Sequence, residues 1–428
     1  MLIQFNFKNF RSFRDEVTLD LSATQITEHA NSVIAIGNEK LLPVVAIYGA
    51  NASGKSNVYA ALEYMAYYVS QSFQFGGDSD SKQKQDSHYV KPTPFLFDSN
   101  SRDAESSFEV YFIDTRDNLK TYNYGFCVNQ DGVTEEWLNS KTKTAKKFKK
   151  IFYRSKDELD LDGLPSKSKE NIEIALEKEV LIVSLGAKLK IAKLKVIRDW
   201  FYSNEFTNFG DPGENYFRSK LLPDNFVKDK EVQSNVLEYF ASFDESIKGF
   251  NIEEDHGESA KDKKGYKIDT LHHVIGTEEN TTIPLQQESD GTLKMFALYP
   301  SLQEVLENGS VLFVDELNAR LHPLLVRNFI LTFLNPKLNP EHAQLIFTTH
   351  DTWQLSNKLL RRDEIWFTEK DKNGISNIYS LVDFVNEDGL KIRKDESYEK
   401  NYLIGKYGAI PSLKSIQIFK EEIIDGKG

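Results

Sequence analysis

Eight residues beginning at Gly49, Gly-Ala-Asn-Ala-Ser-Gly-Lys-Ser, have the types and spacing of a phosphate-binding loop. Its glycines let backbone N–H groups turn inward around phosphates, and a following helix points its positive end at them. A chance glycine turn is the alternative, but an apolar strand precedes the loop and a helix follows it. Lys55 is expected to act on the β- and γ-phosphates, and Ser56 to hold Mg²⁺. The residues expected to bind the nucleotide are Gly49, Ala50, Asn51, Ala52, Ser53, Gly54, Lys55, Ser56 and Asn57.

Two acids follow four apolar residues in the sequence Val-Leu-Phe-Val-Asp315-Glu316. A buried strand would deliver both carboxylates to the carboxyl edge of an α/β sheet, where such sheets bind ligands. Asp315 is then expected to hold Mg²⁺ or its water, and Glu316 to be the catalytic base on the attacking water. Acids at strand ends are often only solvated, but their combination with the phosphate-binding loop favours nucleotide hydrolysis.

Two further segments carry residue types that contact phosphates. His350 follows the apolar segment QLIFTT and is expected at the same sheet edge as a catalytic group near the γ-phosphate. The alternative is a histidine that faces solvent. In the segment ESDGT, Ser289 and Gly291 open a predicted helix, where a hydroxyl and free N–H groups form an anion site.

The surrounding pattern predicts the elements that position these residues. Buried strands that alternate with helices after residue 290 predict a mostly parallel sheet covered on both faces. His322 and Pro323 are expected to form a structural turn or a helix start. The other elements that we predict are strands at 2–7, 16–21, 108–155 and 266–286, helices at 55–69, 291–307 and 323–334, and a hairpin turning at Asn373-Gly374.

The middle of the chain has a different pattern. From about 165 to 245 it turns helical, and Leu185, Leu189, Ala192 and Val196 are spaced as on one helix face. We interpret residues 156–249 as a largely helical insertion, an arm or lid, between a first half at 1–155 and a second half at 250–428. Residues 76–107 are polar and predict a mobile surface loop.

The order of the motifs, phosphate-binding loop, ESDGT, VLFVDE and TTH, resembles an ATPase head of the ABC type. The resemblance implies an α/β P-loop head with an N-terminal antiparallel β subdomain, split by the helical insertion, that uses ATP and Mg²⁺. In that family the helix start at Ser289 and Gly291 would bind the γ-phosphate of the partner subunit's ATP, so sites form when two heads pair. ESDGT departs from the LSGGQ of transporters.

The opening IQFNFKNFRSF resembles the first hairpin of the RecF- and SMC-like branch, which implies that Arg11 lies near the nucleotide. An exposed hairpin arginine is the alternative. Stretches such as YGANASGKSN and VLFVDELNARLHPLLVR are similar to the bacterial ATPases called RloA or AbiLi, relatives of the ATPase part of overcoming-lysogenization-defect nucleases. That likeness covers roughly residues 1–70 and 285–415. The family usually has aspartate where this chain has Asn318, in a loop that crosses the dimer interface.

This resemblance implies an ATPase that hydrolyses ATP as the sensor and scaffold of a defence system against phage. Its expected partners are copies of itself, in a homodimer or a higher oligomer, and a separate effector, a nuclease of the Toprim or RloB-like kind. DNA or a phage component is a further candidate. A DNA repair or chromosome-maintenance ATPase that clamps DNA is the alternative function. A transporter subunit is disfavoured by the long separation of Lys55 from Ser289, and a small-molecule kinase by Glu316 and His350, which suit activation of water.

Composition restricts the partners and the compartment. The net charge is −12 with a pI of about 5.3, so nucleic acid would need a local basic patch. Residues 141–150 and 188–198 are basic, and solvated surface is the favoured interpretation of both. The sequence has no apolar run of roughly 18 residues and no signal peptide, which predicts a cytoplasmic protein without a membrane partner. Cys127 is the only cysteine and is expected to be buried and inert.

The chain after His350 is short. Residues 351–428 include the predicted hairpin and a polar tail, and a Toprim nuclease domain needs roughly 100 residues of its own. The acids Asp157, Glu158, Asp160 and Asp162 fall in one hydrophilic run, so we interpret them as a solvated loop. We therefore expect no intrinsic nuclease activity.

Overall fold

The structure, a computed structural model, describes residues 1–75, 90–218, 222–223, 225–241, 243–255, 265–386 and 389–411. Part of the predicted surface loop, residues 76–89, and most of the predicted polar tail, residues 412–428, lie outside the described residues. The strands are β1 (Leu2–Lys8), β2 (Val17–Asp20), β3 (Ile34–Ile36), β4 (Glu39–Leu41), β5 (Val44–Gly49), β6 (Ser106–Asp114), β7 (Lys120–Asn129), β8 (Gly132–Lys141), β9 (Lys149–Arg154), β10 (Leu159–Asp160), β11 (Glu205–Asn208), β12 (Ile247–Asp255), β13 (Gly265–His273), β14 (Asn280–Pro284), β15 (Val311–Asp315), β16 (Gln344–Thr348), β17 (Ile365–Lys370) and β18 (Ser376–Ser380).

Helices follow several of these strands. They are α1 (Lys55–Gln71), α2 (Ser99–Arg102), α3 (Ser166–Ala175), α4 (Ile182–Lys188), α5 (Ala192–Tyr202), α6 (Pro212–Arg218), α7 (Lys230–Ala241), α8 (Asp290–Asn308), α9 (Pro323–Leu334) and α10 (Tyr398–Leu403). The predicted helices at 55–69, 291–307 and 323–334 correspond to α1, α8 and α9, and the predicted hairpin to β17 and β18.

The N-terminal part forms an antiparallel sheet in the order β10-β9-β8-β7-β6-β1-β2. In β1 the alternate residues Phe5 and Phe7 are fully buried, and Phe5 pairs with Leu19 of β2 and Val110 of β6. Aromatic residues that alternate along neighbouring strands thus build one hydrophobic face of the sheet. The predicted antiparallel β subdomain is confirmed.

The core sheet has the order β11-β15-β16-β5-β17-β18, and its strands are parallel except β18. Every residue of β5, β15 and β16 is buried, as expected for strands covered on both faces. Because these strands run in one direction, Gly49, Asp315 and Thr348 lie together at the carboxyl edge. The predicted α/β class is therefore confirmed.

Alternate residues of the core strands enter different hydrophobic clusters. Val45 and Ile47 pack with α1 and the antiparallel sheet, whereas Val44 and Ala46 pack with α8 and α9 on the other face. Helix α1, which carries Lys55 at its first position, is thus held between the two sheets. This packing fixes the helix that follows the phosphate-binding loop.

Residues 156–249 contain the helices α3 to α7, but also β10, the start of β12 and β11, none of which sequence analysis identified. This four-residue strand pairs in parallel with β15 and so belongs to the core sheet. The prediction of one continuous helix face from Leu185 to Val196 is wrong. Helix α4 ends at Lys188, Lys190 has a left-handed φ of 60°, and Leu189 is 39% exposed. The boundaries at 155 and 249 remain predictions.

A third layer follows this region. Strands β12, β13 and β14 form an antiparallel sheet that packs with α7 against α8. Phe240 of α7 stacks on Phe296 of α8 with their ring centroids 6.0 Å apart. Helix α8 therefore contacts both this layer and the core sheet.

Three expectations from composition can be compared with the structure. Cys127 lies buried in β7, and burial raises the pKa of its thiol to about 12. Residues 142–150 are exposed, which agrees with solvated surface. No helix in the described part of the chain combines the length and apolar character needed to cross a bilayer.

Candidate nucleotide-binding site

The phosphate-binding loop leaves the sheet at Gly49 and enters α1 at Lys55. A Cβ at Gly49 would lie 2.5 Å from the Thr368 carbonyl oxygen, so only glycine fits beside β17. Gly54 has a φ of 118°, a conformation that side chains rarely adopt. The Ser53 and Thr368 hydroxyls lie 2.6 Å apart and anchor the loop to the neighbouring strand.

Lys55 occupies the centre of this loop. Its ammonium donates to the carbonyl oxygens of Gly49 at 2.9 Å and Ala50 at 3.1 Å, and lies 3.5 Å from Nδ1 of His350. Burial lowers the pKa of Lys55 to about 8, against the opposing effects of Asp315 and Glu316. A cation held by neutral carbonyls can transfer its hydrogen bonds to incoming phosphate oxygens.

Asp315 and Ser56 supply oxygen atoms of the kind that Mg²⁺ binds. The Thr348 hydroxyl donates to Oδ1 of Asp315 at 2.5 Å, and the Ser56 hydroxyl also hydrogen-bonds the carboxyl group. Burial raises the pKa of Asp315, while both hydroxyls oppose the shift. Mg²⁺ in nucleotide sites usually has one or two carboxylates, phosphates and water as ligands, so these residues fit that ion.

Glu316 adopts a left-handed φ of 55° directly after β15. Its N–H donates to Oγ1 of Thr348 at 2.9 Å, and the N–H of Leu317 donates to the Thr348 carbonyl oxygen at 3.1 Å. One threonine thus holds the carboxylate of Asp315 and the backbone of Glu316. Sequence analysis missed Thr348, although it belongs to the quoted TTH motif and lies on the strand next to Asp315.

His350 lies in the same cleft beside the ammonium of Lys55, and its side chain is exposed. Burial and then Lys55 lower its pKa, so the neutral imidazole is favoured. Asn318 holds the segment, because its Oδ1 accepts from the Thr349 hydroxyl at 2.8 Å and from the His350 N–H at 3.2 Å. The residue that departs from the family pattern therefore bonds within its own chain.

These groups surround one cleft of about 750 Å³. Its lining includes Lys370 of β17, which sequence analysis did not identify. Burial decreases towards the loop tip, where Asn51 and Ala52 are exposed. The lining residues are Asn51, Ala52, Gly54, Lys55, Ser56, Asn57, Glu316, His350 and Lys370.

Arg11 lies beside the end of the loop. Its Nη1 is 3.5 Å from Oδ1 of Asn57, whose amide nitrogen donates to the Ser12 hydroxyl at 2.7 Å. The side chain is exposed, and its guanidinium lies 5.5 Å from the Phe10 ring centroid. The structure thus places Arg11 close to the cleft, without making it part of the lining.

Ser289 and Gly291 are not brought to this cleft. Ser289 caps α8, its hydroxyl accepting from the Thr292 N–H at 3.1 Å. Both residues line a separate cavity of about 630 Å³, together with His322. Arg320 at its rim forms an exposed ion pair of 2.5 Å with Asp290. His322 caps α9, and Pro323 is its first residue, so the predicted helix start is confirmed.

Residues 44–352 match the model of the family described as "AAA domain, putative AbiEii toxin, Type IV TA system". The chain belongs to this family. The matched range contains the phosphate-binding loop, the acidic pair after β15 and the histidine after β16. Membership makes the chain a P-loop ATPase, a class that in general hydrolyses ATP and usually uses Mg²⁺.

No curated protein matches the sequence. Among solved structures, the chain is similar to one entitled "Crystal structure of the SmcHead bound to the C-winged helix domain of ScpA". The two share 16% sequence identity, and the alignment covers 91% of this chain and 99% of that chain with a TM-score of 0.47.

Proposed function

We propose that this ATPase completes its two nucleotide sites only when two heads pair face to face. The observation that carries the proposal is the separation of two phosphate-binding features within one chain. Lys55, Glu316 and His350 line one cleft, whereas Ser289 and Gly291 line another. A two-fold symmetric pair can bring the second feature of each head onto the nucleotide of the other.

Each side chain in the cleft then has a distinct role in hydrolysis. Lys55 exchanges its two carbonyl contacts for phosphate oxygens, and neutral His350 bonds the γ-phosphate beside it. Mg²⁺, held by Ser56 and Asp315, would neutralise charge on the phosphates when bound. Glu316 orients and deprotonates the attacking water.

The helix start at Ser289 supplies the remaining contact. Helix α8 has 19 residues, so its first turn presents the positive end of a long helix. The hydroxyl of Ser289 is directed to that turn, where it already accepts from Thr292. A γ-phosphate from the other head would accept hydrogen bonds from the Ser289 hydroxyl and from the free N–H groups of this turn.

The test is the mass of the Glu316→Gln variant by light scattering, with and without Mg²⁺–ATP. Glu316→Gln is expected to retain ATP, so the mass should double when ATP is added. Adding Ser289→Arg should prevent the doubling, because a bulky cation fills the helix start.

Ser166→Arg is the matched control, since Ser166 is exposed at the start of α3 and outside both cavities. An unchanged mass in Glu316→Gln, together with full ATP hydrolysis by Ser289→Arg, would contradict the proposal. If the heads are already paired without ATP, the mass will not change when ATP is added. Ser289→Arg should still abolish ATP hydrolysis in such a pair, so ATP hydrolysis is then the measurement that tests the proposal.

We further propose that the ATPase is the sensor and scaffold of a defence system against phage, acting on a separate effector, a Toprim or RloB-like nuclease. The family description, which names a putative toxin of a type IV toxin–antitoxin system, and the resemblance to RloA or AbiLi support this role. Co-purification from the native host, with and without phage infection, is the test. Recovery of chromosomal DNA and no second protein would favour the DNA-clamping alternative.

A further inference from the structure

The loop after β11 lies against the candidate catalytic base. Strand β11 pairs with β15 so that Asn208 stands opposite Asp315, and the Phe209 N–H donates to the Asp315 carbonyl oxygen at 2.9 Å. The Gly210 N–H donates to Oδ1 of Asn208 at 2.8 Å, which closes the turn. We refer to residues 208–211 as the β11–α6 loop.

Gly210 is in contact with the carboxylate of Glu316. A Cβ at Gly210 would lie 2.6 Å from Oε2 of Glu316 and 2.9 Å from its Cδ. The backbone of Gly210 is not left-handed, so its conformation would accept alanine. Glycine is therefore needed at this position for the space that the carboxylate occupies.

Lys294 connects this loop to the helix that begins at Ser289. The side chain is 6% exposed, and its ammonium donates to the carbonyl oxygens of Phe209 at 2.6 Å and Ala319 at 3.0 Å. One buried cation of α8 thus binds the β11–α6 loop on one side and the turn after Glu316 on the other. Asn215 of α6 also donates to the Phe209 oxygen, at 3.0 Å.

Glu316 lies between two open spaces. It lines the nucleotide cleft, and it also lines a cavity of about 430 Å³ whose wall includes Gly210 and Lys294. A glutamate side chain has three rotatable bonds, so contacts on both sides are required to fix its carboxylate. Gly210 supplies such a contact within the second cavity, whose lining does not include Lys55.

We propose that the β11–α6 loop positions Glu316, with Gly210 setting the place of the carboxylate and Lys294 joining the loop to α8. The inference rests on the proposed function, in which Glu316 is the base. It also provides a route between the two sites of a pair. A phosphate bound at Ser289 restrains α8, and Lys294 transmits that restraint to the base that acts on the other nucleotide.

Gly210→Ala is the decisive variant. The new methyl group meets the flexible end of the Glu316 side chain and, at 3.1 Å, Oδ1 of Asn208. Both are side-chain atoms, so they move aside and the fold is kept. A displacement of about 1 Å is expected to lower kcat roughly 10- to 100-fold, with KM for ATP unchanged. Gly213→Ala is the control, since its Cβ would meet only Oδ1 of Asp211, at 3.2 Å.

A shorter side chain at residue 316 distinguishes a displaced carboxylate from a general structural effect of Gly210→Ala. In a Glu316→Asp background the carboxylate no longer reaches the new methyl group. In this background Gly210→Ala should lower kcat by less than about twofold. If the two substitutions acted independently, Gly210→Ala would lower kcat by the same factor as in the wild-type background. Equal losses in both backgrounds, or a lowered melting temperature in Gly210→Ala alone, would overturn the assignment of Gly210.

Lys294→Met keeps the apolar stem and removes the ammonium. Its kcat should fall while ATP binding persists, and a wild-type kcat would remove Lys294 from the proposal. The Glu316→Gln variant distinguishes failure of the proposed function from failure of the positioning role alone. If Glu316→Gln hydrolyses ATP at the wild-type rate, the proposed function fails; if it is stalled while Gly210→Ala is fully active, only this inference fails.

Discussion

Lys55 and Glu316 lie in one cleft, but substitutions at the two residues are expected to impair different properties, ATP binding and ATP hydrolysis. Lys55→Ala removes the buried ammonium at the centre of the phosphate-binding loop, so ATP binding should be lost. Glu316→Gln keeps the size of the side chain and removes a base, which should slow hydrolysis about 10²- to 10⁴-fold with binding intact. Binding of a fluorescent ATP analogue and release of phosphate measure the two properties. Wild-type phosphate release by Glu316→Gln would contradict the assignment of the base.

The sequence motifs led directly to the residues that line the cleft, because each motif ends a predicted strand of a parallel sheet. Lys55, Glu316 and His350 come together for that reason. Gly210 and Lys294 could not be found this way, since their relation to Glu316 depends on contacts between distant segments. A glycine in a polar stretch and a lysine within a helix carry no signal of that contact.

At the scale of elements, a buried acid joins the antiparallel sheet to the helical region. Glu136 of β8 accepts from the Ile182 N–H at 2.7 Å and the Val183 N–H at 3.2 Å, at the start of α4, and from the Tyr124 hydroxyl at 3.0 Å. Burial raises the pKa of Glu136 to about 7, although Arg154 and these hydrogen bonds oppose the shift. Its neutral form is therefore favoured in the folded protein below about pH 7.

This shift gives a pH dependence with a defined sign. Between pH 4.5 and about 7 the folded protein retains a proton that the unfolded chain has released, so stability falls as pH rises through this window. The effect amounts to about 3 kcal/mol, since each pKa unit corresponds to about 1.4 kcal/mol. Glu364, with a pKa raised by burial to about 8, acts in an overlapping window, so wild type must be compared with Glu136→Gln.

Glu136→Gln removes the titrating group, so its urea unfolding midpoint should change less between pH 5 and pH 7.5 than that of the wild type. The variant is also expected to be less stable at pH 5, because an amide cannot accept from both backbone N–H groups. An unchanged pH dependence would show that Glu136 is not protonated in the folded protein.

Secondary structure was predicted correctly where a hydrophobic pattern extended over many residues, and it was missed where the elements were short. Helices α8 and α9 were placed within about two residues. Strand β11 was missed because four residues give too little alternation, and pairing with β15 decides its conformation. The break between α4 and α5 was missed because the apolar spacing continues through Lys190, whose left-handed conformation is incompatible with one helix.

At the scale of the whole molecule, we predict that this chain does not cleave nucleic acid. Asp160 pairs with Lys150, and Asp162 pairs with Lys169. The purified chain should leave plasmid DNA and RNA intact in Mg²⁺ or Mn²⁺, with or without ATP.

The control for contamination is a preparation of the Lys55→Ala variant purified in parallel. Cleavage that persists through purification and disappears when acids of this chain are mutated would overturn the prediction. Cleavage that appears only when a second protein is added would support a separate effector.

The single cysteine of the chain determines how dyes can be attached to follow the pairing of two heads. Cys127 is buried in β7, and its raised pKa leaves almost no thiolate at neutral pH. Maleimide dyes should therefore leave the wild-type chain unlabelled, and a cysteine introduced on an exposed position would be the only reactive one. Donor and acceptor dyes can then be attached without first removing the native cysteine, which makes energy transfer between labelled copies a direct record of pairing in real time.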